Sequence, residues 1–280
     1  MTISKPLTID EACRLLHDDP GATVLAGGTD YMVEVNFRHR RPDHVVSLDQ
    51  VEELRQWRTD HASGTMFIGS TVTMATLENS AIATSIPALA QAARTVGSPQ
   101  IRAAATLGGN LGTASPAGDT LPVLSALDAR VHVASTSGTR SLSVHDYFVG
   151  PKRSSLATGE LIIGVEVPVS DGPQNFAKVG VRNAMVISIA SACFALQNGS
   201  VRIALGSVGP TVLRCRDAEN YLDERILSGR FDDDATEEFA RLVTRASSPI
   251  DDHRSTAEYR RHAVRVLARR LARRSIRHVQ

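Results

Sequence analysis

The sequence has few cysteines, no apolar run of membrane-spanning length and almost no net charge. Its 280 residues include three cysteines, Cys13, Cys193 and Cys215, which are far apart and form no CxxC pair. This pattern argues against a disulfide scaffold, a zinc site or an iron–sulfur cluster held by this chain, and it favours a reducing, cytoplasmic location. The sequence also lacks the roughly 18 consecutive apolar residues of a membrane span and the features of a signal peptide. We therefore expect neither export nor membrane insertion.

The charges nearly cancel but are unevenly placed. There are 31 Lys and Arg residues against 30 Asp and Glu residues, so no long-range attraction to nucleic acid is expected. Arginines concentrate on a predicted C-terminal helix that begins at Ser255, where Ser255 and Glu258 have capping-box spacing. Three interpretations are open: a solvated helix face, a docking surface for an acidic partner subunit, and nucleic-acid contact, which the lack of aromatic residues after Tyr259 disfavours. The arginines are Arg260, Arg261, Arg265, Arg269, Arg270, Arg273, Arg274 and Arg277.

Capping and hydrophobic patterns predict short helices and strands over residues 1–170. Thr8 and Glu11 have capping-box spacing for a first helix, and Ser85 precedes Pro87 as the cap of a second. Asp119 is predicted to cap a third helix over 121–127. Strands are predicted at 22–26, 45–48, 66–68, 130–134 and 161–167, and the stretch 98–122 is predicted to be a loop. We expect a first lobe over about 1–57 and a second over 58–170.

A linker at Asp171-Gly172-Pro173 is predicted to separate a smaller domain over 174–280. Strands are expected at 176–179, 186–196 and 201–208, with Asn198-Gly199 as a tight hairpin between the last two. Helices are expected at 236–246 and from Ser255 onward. The pattern indicates antiparallel strands packed with C-terminal helices.

Two diglycine segments carry the chemistry that can be inferred from residues alone. They are Gly27-Gly28-Thr29-Asp30 and Gly108-Gly109-Asn110, and neither matches GxGxxG. Glycine permits positive φ and lets backbone N–H groups approach the oxygens of a phosphate. Asp119 could accept hydrogen bonds from ribose or ribityl hydroxyls. Simple chain reversals, with Asp30 and Asp119 as helix N-caps, are the alternative interpretation, but the occurrence of two such segments favours binding of a phosphorylated ligand.

Several further motifs, in a fixed order, accompany these segments. The sequence resembles the FAD-binding medium subunit of the molybdenum hydroxylases, the family of the xanthine dehydrogenase and carbon monoxide dehydrogenase medium chains. The resemblance covers nearly the whole chain, and Ala103 departs from it, since many members have asparagine there. It rests on 26–30, 98–102, 105–111, 114–119, Pro122, 160–163, Glu166, Pro168, Lys178, Arg182, 249–254 and 259–261.

The resemblance implies an α+β fold: a two-lobed FAD-binding domain of the PCMH type, like that of vanillyl-alcohol oxidase, followed by a C-terminal domain of the CO dehydrogenase flavoprotein type. It implies an extended FAD and neither a catalytic acid–base residue nor a metal ligand on this chain. The pyrophosphate would be wrapped by Val24, Leu25, Ala26, Gly27, Gly28, Thr29, Asp30 and Tyr31. Ala105, Thr106, Gly108, Gly109 and Asn110 would bind from the other side, Asp119 would hold adenosine or ribityl hydroxyls, and Ile162 and Lys178 would lie near the adenine or flavin.

The resemblance also implies an electron-transfer role within an oxidoreductase. Molybdopterin would reside on a large partner subunit and 2Fe-2S clusters on a small one, in a dimer of heterotrimers, and FAD on this chain would pass electrons to an external acceptor. NAD, oxygen, ferredoxin and quinone remain open as acceptors, and the substrate is open too. Two alternatives are a self-contained FAD-dependent oxidase of the vanillyl-alcohol-oxidase-like fold and a non-catalytic nucleotide-binding module.

Overall fold

The computed structural model describes residues 2–37, 39 and 41–276. The first lobe is a three-stranded parallel sheet, in the order β1-β3-β2, with the first of its two helices packed against it. Thr8 caps the first helix, since its hydroxyl accepts from Glu11 N at 3.1 Å, as the sequence predicted. The elements of this lobe are β1 (Thr2–Ser4), α1 (Ile9–Asp18), β2 (Thr23–Leu25), α2 (Tyr31–Asn36) and β3 (His44–Ser47).

The second lobe is a five-stranded antiparallel sheet with a layer of short helices on one face. Its strand order is β4-β5-β10-β6-β7, and apolar side chains from the strands and helices form one large core. The elements are β4 (Trp57–Asp60), β5 (Thr65–Gly69), α3 (Met74–Asn79), α4 (Ala81–Ser85), α5 (Pro87–Arg94), α6 (Pro99–Ala104), α7 (Leu107–Thr113), α8 (Leu121–Ala126), β6 (Arg130–Ser135), β7 (Gly138–Ser143), α9 (Val144–Tyr147), β8 (Phe148–Gly150), β9 (Arg153–Ser154) and β10 (Leu161–Pro168).

The C-terminal part is a four-stranded antiparallel sheet covered by three helices. Asn198 and Gly199 form the predicted hairpin with φ values of 51° and 76°. The sheet is buried on both faces: Phe194 packs with Phe239 under the helices, whereas Cys193 and Ala195 join the core of the second lobe. The elements are β11 (Gln174–Val179), β12 (Ala190–Gln197), β13 (Ser200–Gly206), β14 (Leu213–Arg214), α10 (Arg216–Leu227), α11 (Asp233–Ala246) and α12 (Ala257–Ile276).

Several predicted local structures were wrong. The stretch 98–122 is not simply a loop, because it contains α6 and α7. Ser85 is the last residue of α4, and Ile86 precedes α5 without a side-chain cap. Asp119 does not cap α8, whose N-cap residue is Thr120. Helix α12 begins at Ala257, while Ser255 N instead bonds the Asp252 carboxylate at 3.1 Å.

The arginines of the C-terminal helix are not all on a solvated face. Arg260 is 3% exposed, and its guanidinium donates to Ile189 O at 2.6 Å, to Ser207 O at 2.9 Å and to Asp252 at 2.7 Å. Arg269 and Arg273 reach acidic residues of α11, as does Arg265, so part of this charge is neutralised within the chain. Tyr259 is 47% exposed rather than packed. Arg277 lies outside the described residues.

Candidate functional site

A cleft of about 720 Å³ runs between the first lobe and the short helices of the second. Its walls come from the segment joining β2 to α2, from α6, α7 and the loop before α8, from β10, and from the loop between β11 and β12. All of the site residues predicted from the sequence line this cleft except Lys178, which lies behind Asp119. The fold therefore brings together residues that are up to 138 positions apart between Val24 and Ile162.

The first diglycine segment presents a row of backbone donors to the cleft. The N–H groups of Gly27, Gly28, Thr29 and Asp30 donate no hydrogen bond to any atom in the described part of the chain. Gly28 has φ of 71°, which disfavours other residues. A Cβ on Gly27 would lie 1.8 Å from Ala104 O, so this glycine lets the two walls of the cleft approach each other. Unpaired N–H groups at close approach suit phosphate oxygens.

The second diglycine segment does not reverse the chain. It is helical and forms the first turn of α7. Thr106 caps this helix, because its Oγ1 accepts from Gly109 N at 3.0 Å, and Gly108 N donates to Ser70 O at 2.7 Å. Neither glycine N–H is therefore free for a phosphate. A Cβ on Gly108 would lie 2.7 Å from Ser70 O, so Gly108 serves close packing between α7 and the end of β5.

Neither Asp30 nor Asp119 caps a helix with its side chain, although Asp30 occupies the N-cap position of α2. The Asp30 side chain makes no capping bond and instead accepts from Thr113 Oγ1 at 3.1 Å, which links the first lobe to the end of α7. Asp119 Oδ2 accepts from Thr95 Oγ1 at 3.2 Å and from Lys178 Nζ at 2.5 Å. The alternative interpretation as a helix N-cap is therefore wrong for Asp119, whereas Asp30 stands at an N-cap position without a side-chain capping bond.

Asp119 carries an acceptor atom without a partner. The residue is 7% exposed, and its Oδ1 is buried with no hydrogen-bond partner in the described structure. Burial raises the pKa of the Asp119 carboxyl, while the charge and hydrogen bond of Lys178 act in the opposite direction. Since a buried carboxylate oxygen without a donor is costly, this atom indicates a ligand hydroxyl in the cleft.

Sequence analysis missed other polar residues of the cleft. Ser70 Oγ is buried without a partner in the described structure, and Ser70 lines the cleft. Thr113 and Ser115 line it as well. The available signal was weak: Gly69-Ser70 follows a predicted strand, where polar loop residues are common. Ala103, the departure from the family pattern, is exposed and does not line the cleft.

The residues fit an extended ligand that has both phosphates and rings. The donor row can bind phosphate oxygens, Asp119 Oδ1 can accept from a sugar hydroxyl, and apolar side chains such as Ile162, Val186 and Ile187 can cover a flat ring. In the described part of the chain no group of His, Cys, Asp and Glu residues could hold a metal ion, and no helix has the length and apolarity needed to cross a bilayer. The fold and cleft thus define a dinucleotide-binding protein built from two unlike lobes and the C-terminal sheet of β11 to β14, which we call the covering sheet.

Comparisons with known proteins agree along the whole chain. Residues 1–170 match the FAD binding domain in molybdopterin dehydrogenase, and residues 175–275 match the CO dehydrogenase flavoprotein C-terminal domain. The chain is 35% identical to the nicotine 6-hydroxylase medium subunit of Paenarthrobacter nicotinovorans, covering 95% of this chain and 94% of that protein. It is 30% identical to the xanthine dehydrogenase FAD-binding subunit of Escherichia coli O157:H7, covering 94% and 92%.

A solved structure shows the same fold. The quinoline 2-oxidoreductase of Pseudomonas putida 86 superposes with a TM-score of 0.92 at 25% identity, covering 99% of this chain and 97% of that chain. The chain belongs to the family of FAD-binding medium subunits of the molybdenum hydroxylases. This confirms the predicted α+β fold class, the FAD cofactor and the oxidoreductase role as part of a multi-subunit complex.

Proposed function

We propose that FAD lies extended in the cleft, with its pyrophosphate on the donor row between Gly27 and Asp30. In this proposal Val24, Leu25, Ala26 and Tyr31 flank the row. Opposite them lie Ala105, Thr106, Gly108, Gly109 and Asn110, with Gly108 and Gly109 acting by packing. Asp119 Oδ1 accepts from a ribose or ribityl hydroxyl, and Ile162 lies against a ring. The unpartnered, buried Oδ1 atom is the observation that carries this proposal.

The chain would transfer electrons rather than transform the organic substrate. When bound, FAD supplies the redox chemistry. The residues of this chain hold it in place and limit its contact with water. We propose that electrons arrive from 2Fe-2S clusters on a small partner subunit, that a large molybdopterin subunit oxidises the substrate, and that the complex is a dimer of heterotrimers. The acceptor could be NAD, oxygen, ferredoxin or quinone.

The role of the chain as a subunit and its division into domains belong to the same proposal. Relatives that match over more than nine tenths of this chain are named as subunits, which favours a subunit over a self-contained FAD-dependent oxidase. We propose an FAD-binding domain over 1–170, with lobes over about 1–57 and 58–170, and a C-terminal domain over 174–280. The three cysteines are buried and free of disulfides, which is compatible with a cytoplasmic location.

FAD binding by the full chain tests the proposal. Flavin fluorescence is followed while FAD, FMN and riboflavin are titrated in turn. FAD should bind most tightly, because the cleft offers contacts to the pyrophosphate and to both sugar parts. Thr29→Glu should weaken FAD binding by placing a carboxylate among the phosphate donors. Thr59→Glu, on the exposed strand β4, is the matched control and should bind as the wild type does. Equal affinity for FAD and riboflavin, or no binding, would contradict the proposal.

A further inference from the structure

Lys178 is buried behind the cleft, and its hydrogen bonds are already filled by this chain. Its side chain is 9% exposed, and it does not line the cleft. Nζ donates to Asp119 Oδ2 at 2.5 Å, to Thr95 O at 3.0 Å and to Val186 O at 3.1 Å. Because an ammonium group has three N–H donors, none remains for a ligand.

The three acceptors belong to three separate segments of the chain. Thr95 follows α5, Asp119 lies just before α8, and Val186 lies in the loop between β11 and β12. Asp119 and Val186 both contribute to the cleft wall. From its buried position on strand β11, Lys178 thus hydrogen-bonds to two parts of the cleft wall.

The hydrogen bonds also fix the orientation of the Asp119 carboxyl group. Lys178 Nζ and Thr95 Oγ1 both donate to Oδ2, and Oδ1 receives no hydrogen bond in the described structure. One oxygen is therefore occupied by the protein, which leaves the other available to a ligand in the cleft.

We propose that Lys178 is a positioning residue that does not contact FAD and acts through Asp119, holding Oδ2 so that Oδ1 is left for a cofactor hydroxyl. This inference rests on the proposed function. It replaces the sequence-based expectation that Lys178 itself lies at the adenine or flavin.

The electrostatics give this role a measurable signature. Lys178 is the charged side chain that faces the Asp119 carboxyl within the described part of the chain, and burial raises the pKa of that carboxyl. Without the ammonium, burial is opposed by the Thr95 hydrogen bond alone, and the carboxyl is protonated over a wider pH range. Since the ionised form is the better acceptor, FAD affinity of Lys178→Met should increase as pH rises and the carboxyl deprotonates.

A double-mutant cycle on the full chain distinguishes positioning from direct contact. FAD dissociation constants are measured by flavin fluorescence for wild type, Lys178→Met, Asp119→Asn and the double variant. Each single change should weaken binding by roughly tenfold, in line with one hydrogen bond to a charged group. The double variant should bind no more weakly than Asp119→Asn, because in this proposal Lys178 affects FAD affinity through Asp119. Asp119→Asn has no carboxyl to titrate and should show no such increase in affinity with pH.

Lys152→Met is the matched control, since Lys152 lines the cleft but pairs with Glu34 at 3.6 Å rather than with Asp119. Its effect should add to that of Asp119→Asn.

If Lys178→Met does not fold, as judged by circular dichroism, Asp119→Asn and the double variant decide the matter by themselves. A double variant that binds clearly more weakly than Asp119→Asn would show that Lys178 affects FAD binding by a route other than Asp119, which would overturn the inference while leaving the proposed function intact. A wild-type chain that binds no FAD would overturn both.

Discussion

At the scale of single residues, some residues of the cleft are needed for packing, whereas others are available to bind a ligand. Gly27 and Gly108 are required because the backbone of neighbouring segments leaves no room for a Cβ. Their identity as glycine therefore says little about phosphate binding. Asp119 Oδ1 and Ser70 Oγ are buried polar atoms without partners in the described structure. Such atoms normally have a partner in a folded protein, so these two are the better indicators of a ligand.

Ser70→Ala should lower FAD affinity without lowering the stability of the chain. Ser70 Oγ lines the cleft without a partner, so its removal costs a ligand contact and no internal hydrogen bond. A loss of roughly fivefold to tenfold is expected for one neutral hydrogen bond. Thr71→Val is the matched control, because Thr71 Oγ1 is also buried without a partner but does not line the cleft. Equal losses in the two variants, measured by FAD titration, would rule out a ligand contact specific to Ser70.

Gly108→Ala should destabilise the chain more than Gly109→Ala does, although the two glycines are adjacent. A Cβ on Gly108 would lie 2.5 Å from Ser70 Cβ and 2.7 Å from Ser70 O, whereas a Cβ on Gly109 would meet Thr106 Oγ1 at 3.0 Å. Overpacking against backbone costs about 1–3 kcal/mol. For Gly109, the gain in helix propensity of about 1 kcal/mol offsets the closer contact. Urea unfolding of the FAD-free chain measures both, and a greater loss in Gly109→Ala would contradict this account.

At the scale of elements, helix α12 shows how charge in a sequence can mislead. Arginines four residues apart lie on one helix face, and here that face meets the acidic residues Asp233 and Glu237 of α11. Arg260 lies one turn from the helix start and is buried. The sequence pattern could not distinguish the surface arginines from the buried one, because it contains no information on which helix packs beside α12.

Two substitutions should distinguish the exposed from the buried arginines of α12. Glu237→Gln removes the partner of Arg265 and Arg269 at the surface and should cost less than about 1 kcal/mol, with the effect falling as salt is added. Asp252→Asn removes the carboxylate partner of buried Arg260 and should cost about 2–3 kcal/mol. Denaturant unfolding at low and high sodium chloride compares them. A salt-independent loss of equal size in both variants would contradict this distinction.

The elements that the sequence predicted well are those with local signals. Thr8 and Glu11 define the start of α1, and Asn198-Gly199 defines a hairpin, because each depends on neighbouring residues alone. Helix α7 was predicted as a loop, since its glycines have poor helix propensity, and the need for Gly108 arises from a tertiary contact with Ser70. Helix α10 was not predicted, because few apolar residues mark its buried face. The composition of the cleft was predictable through family motifs, whereas the roles of Gly108 and Lys178 depend on tertiary contacts.

At the scale of the whole molecule, the covering sheet is held to the second lobe by a charged cluster as well as by the apolar core. Asp128, between α8 and β6, accepts from Arg214 Nη1 at 2.7 Å and from His145 Nε2 at 2.9 Å. Arg214, on β14, also donates to Ser125 O at 2.9 Å and pairs with Glu219 at the start of α10. Asp128 therefore connects the second lobe with the C-terminal sheet and helices.

The contribution of Asp128 should disappear in acid. Burial by itself would raise the pKa of Asp128, but the hydrogen bonds and charges of His145 and Arg214 outweigh it and lower the pKa from 3.8 to about 2. A group whose pKa is depressed on folding stabilises the native state above its unfolded pKa, and that contribution is lost as pH falls toward the folded value. The window lies between about pH 4 and pH 2.

The prediction for the whole molecule is that Asp128→Asn is clearly less stable than wild type at pH 6 and that the difference shrinks steadily between pH 4 and pH 2. The expected loss at pH 6 is about 1–2 kcal/mol, because Asp128 is more than one third exposed and solvent screens part of the interaction. Urea unfolding across this pH series measures the difference, and Asp18→Asn, at the exposed end of α1, is the control and should change little throughout. A difference between Asp128→Asn and wild type that stays constant down to pH 2 would mean that packing of the side chain, rather than its charge, joins the two parts of the chain.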